Sequence, residues 1–241
     1  IARTDARGSS ILDRFSWVRG GVTLPANDAY AYRRAQMLES LKQGGINDKR
    51  VIDAMAEIPR HYFVPEAFRH QAYDDNVSIH IGEGQTISQP RIVALMTASA
   101  RIDPQDRVLE VGTGSGYQAA VLSRLARFVF TVERLASLAR QAKTVLDQLG
   151  VDNVSIKVMD GTLGWRAQAP FDAILVTAGA PEVPEPLVEQ LADGGRLVVP
   201  VGPRETQVLK IVERRGDRTF AHELKGACFV PLIGRHGWET D

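Results

Sequence analysis

The sequence predicts an α/β fold: a doubly wound, mostly parallel sheet, with a helical addition before it and an antiparallel strand pair after it. Three observations carry that reading. From Arg107 onward, short apolar runs alternate with helical stretches, the order that sets parallel strands between helices on both faces of a sheet. The runs "RVLEV" and "FDAILVT" are almost wholly apolar, as strands covered on both faces require. Residues 28 to 100 carry helical spacing interrupted by glycine and proline, which suits helices packed beside the sheet.

The elements follow in order. Residues 1–27 show no period, and their first nineteen hold Arg3, Arg7, Arg14 and Arg19 against Asp5 and Asp13. A mildly basic, flexible arm without a specific role is expected there. Ala31, Ala35, Leu38 and Leu41 recur at helical spacing until Gly44-Gly45 stops them. Asn47-Asp48 cap a second helix carrying Val51, Ile52 and Met55, which Pro59 ends. Gly82 and Gly84 are turn residues in a mixed, aromatic stretch, 60–85. "GQTISQPRIVALMT" then reads as a helix mouth with Ile92, Val93, Leu95 and Met96 as its buried stripe.

The sheet strands are "RVLEV", "FVFTVE", "VSIKV", "FDAILVT" and "GRLVVPV". Between the first two lies the helical "YQAAVLSRLA", and after the second a long amphipathic helix runs from Leu135 to Leu149. "QVLKIVERR" and "TFAHELK" flank the turn "GDR" and form the antiparallel pair.

With 241 residues and 44% apolar content, residues 28–241 suit a single domain, divided into the helical segment 28–105 and the sheet 106–241. The 29 basic residues balance 29 acidic ones, so no general nucleic-acid surface is expected. The single cysteine, Cys228, excludes an internal disulfide and fits a reducing compartment; a small buried role is expected for it. No apolar run approaches the roughly 18 residues of a membrane span, and the N-terminus lacks the apolar core of a secretory signal. These features point to a cytoplasmic monomer. His61, His70, His80, His222 and His236 show no metal-ligand spacing, so no metal is expected. Asp74-Asp75 reads as a turn rather than a paired acid site.

A doubly wound sheet binds ligands at the carboxyl ends of its strands. "VLEVGTGSGYQAA" occupies such a place, and Gly112, Gly114 and Gly116 allow a tight turn with backbone close to a ligand. A dinucleotide loop needs its third glycine one position later, where Tyr117 stands. The G-x-G-x-G form preceded by Glu110 resembles S-adenosyl-L-methionine-dependent methyltransferases, which implies a Rossmann-like class I fold. The positive sulfonium of that cofactor favours nearby acids over phosphate-cradling groups. Glu133 ends the second strand, where a carboxylate can accept from both ribose hydroxyls. Asp160-Gly161 follows the third strand, where it can meet an adenine edge. Thr113 and Ser115 belong to the same loop. A plain tight turn and solvated strand ends remain the bland alternatives.

"TISQP" (86–90) upstream of "VLEVGTGSGYQAAVL" resembles the protein-L-isoaspartate O-methyltransferases, with support from "IPRHYFVPE", "AYDD", "TVERL", "MDG" and "FVPLIG". The resemblance covers roughly residues 33–235. It implies methyl transfer from S-adenosyl-L-methionine to the free α-carboxylate of isoaspartyl residues in aged proteins and peptides. The ester then closes to a succinimide, and hydrolysis returns some normal aspartate. Arg91 and Cys228 depart from residues common in the family, and the arm 1–27 extends beyond its usual start; these departures bear on peptide preference.

From local sequence Ser88 is an ordinary helix cap. The resemblance implies that it holds the substrate carboxylate at a helix N-terminus, where free N–H groups and partial positive charge help. A carboxylate with an ordinary pKa near 4 is already ionised, so Ser88 needs no base. Thr86, Ile87, Gln89 and Pro90 complete the expected substrate side, and Phe229, Val230 and Pro231 form a groove wall whose backbone can pair with an extended peptide. Three rival readings are a methyltransferase for small molecules or nucleic acid, a cofactor-binding module without catalysis, and a nicotinamide dehydrogenase. "TISQP", the intact Ser88, Gly112, Glu133 and Asp160, and Tyr117 argue against them in turn.

Overall fold

The computed structural model describes residues 28–239, apart from the side chains of 225 and 227, together with the backbone of two short strands before them. Those strands, β1 (Trp17–Val18) and β2 (Gly21–Val22), pair antiparallel; the rest of the expected flexible arm, 1–27, lies outside the described residues.

Helix α1 (Ala31–Gln43) buries Arg34, Met37 and Leu41. The expected stripe is therefore displaced: Ala31 and Ala35 are exposed and Leu38 is half-buried. The cause is tertiary. Arg34 is drawn inward by an ion pair with Asp28 and by donation to the Tyr73 hydroxyl. Helix α2 (Lys49–Glu57) starts as expected, with the Asp48 side chain accepting from the N–H groups of Arg50 and Val51. Asp74 and Asp75 form a turn: Asp74 accepts from the Asn76 N–H, and Asp75 accepts from the Ser40 hydroxyl of α1.

The stretch expected to open a helix instead begins as a hairpin. Strand β3 (Ile79–Gly82) pairs with β4 (Gln85–Ile87), Ile79 opposite Ile87 and His80 opposite Thr86. Gly82 and Gly84, at φ +100° and +68°, make the turn. Cross-strand pairing engages residues 85–87 before a helix can, so α3 (Pro90–Ala100) starts at Pro90 with Gln89 at its cap. Proline suits that first position because its fixed φ is already helical.

The remaining elements are β5 (Arg107–Val111), α4 (Tyr117–Ser123), β6 (Phe128–Glu133), α5 (Ala136–Gln148), β7 (Val154–Val158), β8 (Phe171–Val176), α6 (Glu185–Glu189), β9 (Leu191–Val201), β10 (Gln207–Arg215) and β11 (Arg218–Ala227). The strands form one seven-stranded sheet in the order β11-β10-β9-β8-β5-β6-β7. Neighbours from β9 to β7 are parallel, and β10 and β11 finish the sheet antiparallel, as expected.

Five helices crowd one face, and the short α6 lies on the other. Val108, Val129 and Leu175 of the sheet pack with Met37, Met55, Val93, Leu122 and Leu146, one from each of α1 to α5. The opposite face, with Leu109, Val111 and Ile174, is covered by Leu187 of the short α6, by Trp165 and by the C-terminal Leu232. The crossover from β7 to β8 makes two three-residue 3-10 turns instead of a helix. Gly161, Gly164 and Pro170 in that segment break helical continuity. After β7 the chain returns to the other side of β5, so a topological switch point opens between β5 and β8, where a ligand site is expected.

Candidate functional site

A cleft open to solvent lies at that switch point, where open α/β sheets place their ligands. Gly112, Thr113, Gly114 and Ser115 line it from the end of β5, Glu133 from β6, and Gly161 from the segment after β7. Gly112 has φ +97°, and a Cβ there would stand 2.4 Å from Thr177 Oγ1. Only glycine combines that backbone with that approach. Gly161 is needed for packing: a Cβ would meet Val111 Cγ1 at 2.6 Å.

Two acids face the cavity. Glu133 accepts from the N–H of Gly114 at 2.9 Å through Oε2 and from that of Leu135 at 3.0 Å through Oε1. Glu110 is 0% exposed. Its Oε2 accepts from the Thr131 hydroxyl at 2.5 Å, and Thr131 in turn meets the Thr113 hydroxyl at 2.7 Å. Its Oε1 is buried without a partner. Burial, aided by the nearby Glu133 and opposed by the Thr131 hydrogen bond, raises the Glu110 carboxyl to about 8. An open glycine cradle, the Glu133 carboxylate and the buried Glu110 carboxyl, which a nearby positive charge would favour in its ionised form, suit a ligand that carries positive charge and hydroxyl groups.

A second cavity, of about 680 Å³, adjoins the first. Ser78, Gln89, Ile92, Gly226, Cys228 and Phe229 line it alone, while Thr86, Ser88, Thr177 and Val230 line both. Ser88 is not the helix cap: Gln89 holds that position, and no side chain caps α3. The expected donors at the helix mouth are also fewer. Pro90 has no N–H, and the N–H groups of Ile92 and Val93 both bond to the Gln89 carbonyl. Arg91 keeps the open donor of the first turn.

The chain matches the family profile "Protein-L-isoaspartate(D-aspartate) O-methyltransferase" over residues 32–237. It belongs to that family. The protein-L-isoaspartate O-methyltransferase 1 of Syntrophobacter fumaroxidans is 53% identical over 207 residues, covering 86% of this chain and 96% of that one. The Geobacter metallireducens protein-L-isoaspartate O-methyltransferase is 52% identical over 210 residues, covering 86% and 97%. A solved protein-L-isoaspartate O-methyltransferase superposes with a TM-score of 0.77 at 31% identity, over 85% of this chain and 67% of that one. A Plasmodium falciparum structure described as a β-aspartate methyltransferase in complex with S-adenosyl-L-homocysteine gives 0.72 at 29% identity, over 83% and 98%.

Within the family frame, most residues expected from sequence meet at the two cavities, with four qualifications. Gly116 lies behind the wall, where its φ of +89° and closeness to Ala142 let α4 start against α5. Asp160 also stands back. Its Oδ1 accepts from Thr162 and its Oδ2 from the Arg235 N–H at 2.9 Å; these bonds hold its carboxyl below the ordinary value against the opposing effect of burial. Pro90 is buried as the first residue of α3. The backbone of "FVPLIG" is partly committed: Gly179 donates to the Val230 carbonyl and accepts from the Leu232 N–H, and the Phe229 N–H donates to Gln207 Oε1. An extended peptide therefore has only the remaining groups of that segment to pair with.

Cys228 corrects its expectation outright, being exposed and on the second cavity's wall. Thr177, missed from sequence, donates to the carbonyls of Gly112 at 2.6 Å and Val111 at 3.0 Å. Its position just past β8, beside the glycine-loop strand, was the available signal. No group of metal-ligating residues occurs among the described residues, and no described helix is long and apolar enough to cross a membrane.

Proposed function

We infer that this chain is a carboxyl methyltransferase of protein repair, moving the methyl of S-adenosyl-L-methionine to the free α-carboxylate of L-isoaspartyl residues. One observation carries the reading: the wall shared by the two cavities is Thr86, Ser88, Thr177 and Val230, with no titratable side chain among them. Hydroxyls can orient an anion but cannot take a proton from it at neutral pH.

When bound, the cofactor supplies a methyl already activated by its sulfonium. The substrate carboxylate is ionised near neutrality, so the chain has no proton to move. Its work is placement, which contributes as much as roughly 7–11 kcal/mol in well-oriented reactions. Gly112, Thr113, Gly114, Ser115 and Gly161 would cradle the donor side, with Glu133 available to ribose hydroxyls and Glu110 ionising more readily once a positive charge lies beside it. Ser88 donates to the acceptor carboxylate, Thr86 and Gln89 extend the cradle, and Ile87, Phe229, Val230 and Pro231 supply apolar wall. Gly116, Pro90 and Asp160 act from behind: Gly116 admits α5, Pro90 starts α3, and Asp160 ties the 234–236 loop to the adenine end. The domain 28–241 works as a monomer on isoaspartyl proteins and peptides. A cytoplasmic setting is supported by the single, exposed Cys228.

The test uses methyl-labelled S-adenosyl-L-methionine and paired peptides that differ only in aspartate versus isoaspartate. Base-labile methyl esters should form on the isoaspartyl peptide alone. Label on small molecules or nucleic acid but on neither peptide would overturn the reading, as would cofactor binding without label on any acceptor.

A further inference from the structure

One buried charge beside the site belongs to neither cavity wall. Arg60 opens the 3-10 turn Arg60–Phe63 and is 0% exposed. Its Nε donates to the Ala72 carbonyl and its Nη2 to the Ser88 carbonyl, both at 2.7 Å. Its guanidinium carbon stands 4.6 Å from the centroid of the Tyr117 ring. Tyr117 is the first residue of α4 and lines the glycine-loop cavity. One side chain thus grips the backbone of the junction serine and stacks on the helix that follows the glycine loop.

Arg60 has no acid partner among the described residues, and its Nη1 is buried without a hydrogen bond. Arg34, also buried, contrasts with it by pairing with Asp28. A buried cation without a counterion is a cost to the fold. Burial lowers Arg60 to about 10, which leaves it positive at neutral pH. The first turn of α3 has few open N–H donors, so the helix mouth is a weak source of positive potential. Arg60 is the cation behind it.

We propose that Arg60 is a positioning residue and a distant countercharge for the substrate carboxylate, fixing Ser88 through its carbonyl and drawing the anion to the junction without touching it. This rests on the reading that Ser88 receives the carboxylate. Direct contact with a guanidinium would stabilise the carboxylate more before the reaction than in the transition state, where its charge is being lost, and would slow attack. A cation set behind neutral donors attracts the anion more gently, since the interaction falls with distance. It also favours a carboxylate over an uncharged analogue of the same shape.

The test compares wild type with R60K, R60M and R60Q. Each is assayed with an isoaspartyl peptide as substrate and with the matched peptide carrying a carboxamide in place of the α-carboxylate as a competitive inhibitor. Wild type should prefer the carboxylate. R60M and R60Q should raise KM for the substrate about tenfold and lose the carboxylate-over-amide preference by a similar factor, with S-adenosyl-L-homocysteine affinity kept within about twofold. R60K keeps the charge without the planar fork, so it should retain most of the preference while kcat falls. An undiminished carboxylate preference in either neutral variant would overturn the proposal. Equal weakening toward both peptides would do the same, because it would mark a purely structural role. R60Q can still donate to the Ser88 carbonyl and decides the matter if R60M does not fold. A wild type that methylates no isoaspartyl peptide would break the functional reading instead, a result distinguishable from wild-type activity with an unchanged preference in the variants.

Discussion

The glycine-loop cavity and the serine cavity share four wall residues but are built on opposite principles. The glycine-loop side gathers the ends of β5 and β6 and the segment after β7, neighbours in a parallel sheet, so the fold delivers them to one place automatically. Its acids are Glu133 and the fully buried Glu110, whose carboxyl, raised to about 8, keeps its proton at neutral pH. The serine side draws on the β3–β4 hairpin, the start of α3, the end of β8 and the segment after β11. Its nearest buried charge is a cation, Arg60, held through backbone carbonyls. Sheet topology builds the first site; tertiary hydrogen bonds hold the second together. The acids of the first side are thereby kept apart from the buried cation of the second.

Ser88→Ala gives the sharpest separation of the two sides. Removing a transition-state donor should lower kcat about 100-fold, while S-adenosyl-L-homocysteine affinity, measured by calorimetry, stays within about twofold. A parallel loss of cofactor affinity would break the division. Gly112→Ala should act across the shared wall, because its Cβ would strike Thr177 Oγ1 at 2.4 Å. Cofactor affinity should fall at least about tenfold and peptide KM should rise with it; a change confined to one ligand would show that Thr177 does not join the cavities.

The two regions should also respond to pH with opposite signs. Glu110 is raised from 4.5 to about 8, so the folded state holds a proton that the unfolded chain releases. Its contribution is most favourable below about 4.5 and is lost as pH rises through 8. Glu110→Gln should remove that loss, on the order of 4 kcal/mol between pH 5 and 9 by urea unfolding. His61, on the serine side, is lowered from 6.5 to about 4, chiefly by burial. Its ring stacks on Tyr30 and bonds to the Tyr73 hydroxyl at 2.8 Å. The stability tied to its neutral form is present above 6.5 and is lost as pH falls through 4, roughly 2 kcal/mol. His61→Gln should flatten the acid limb alone; identical pH profiles for the two variants would erase the contrast. Asp160→Asn should have the smallest effect, a few degrees in Tm, by weakening the tie to Arg235 with little change in kcat.

Much of the glycine-loop side was legible because its signals are local. A strand, a glycine run that permits positive φ, and an acid at the next strand end follow one another along the chain. Gly116 and Asp160 were recognised as part of that group, but their place one layer behind the wall depends on Ala142 and Arg235, and no local pattern records those partners. On the serine side, the motif "TISQP" marked residues of which Thr86, Ile87, Ser88 and Gln89 line the cavities, but it suggested the wrong local structure. The helix mouth became a hairpin strand because His80 pairs with Thr86 across the turn. Cys228 was expected inside on residue type alone, yet it borders an open cavity.

By itself the sequence determined the order of strands and helices, the antiparallel finish of the sheet, the glycine loop with its acids, and the family. Each depends on backbone preference or side-chain alternation over a few neighbouring residues, and such preferences survive any packing. Tertiary structure alone decided that helices α1 to α5 share one face, that Thr177 joins two cavities, and that Arg60 holds Ser88, 28 residues away. Contacts of that kind arise from how finished elements meet, and burial sets their strength by removing the water that would otherwise compete for the same groups.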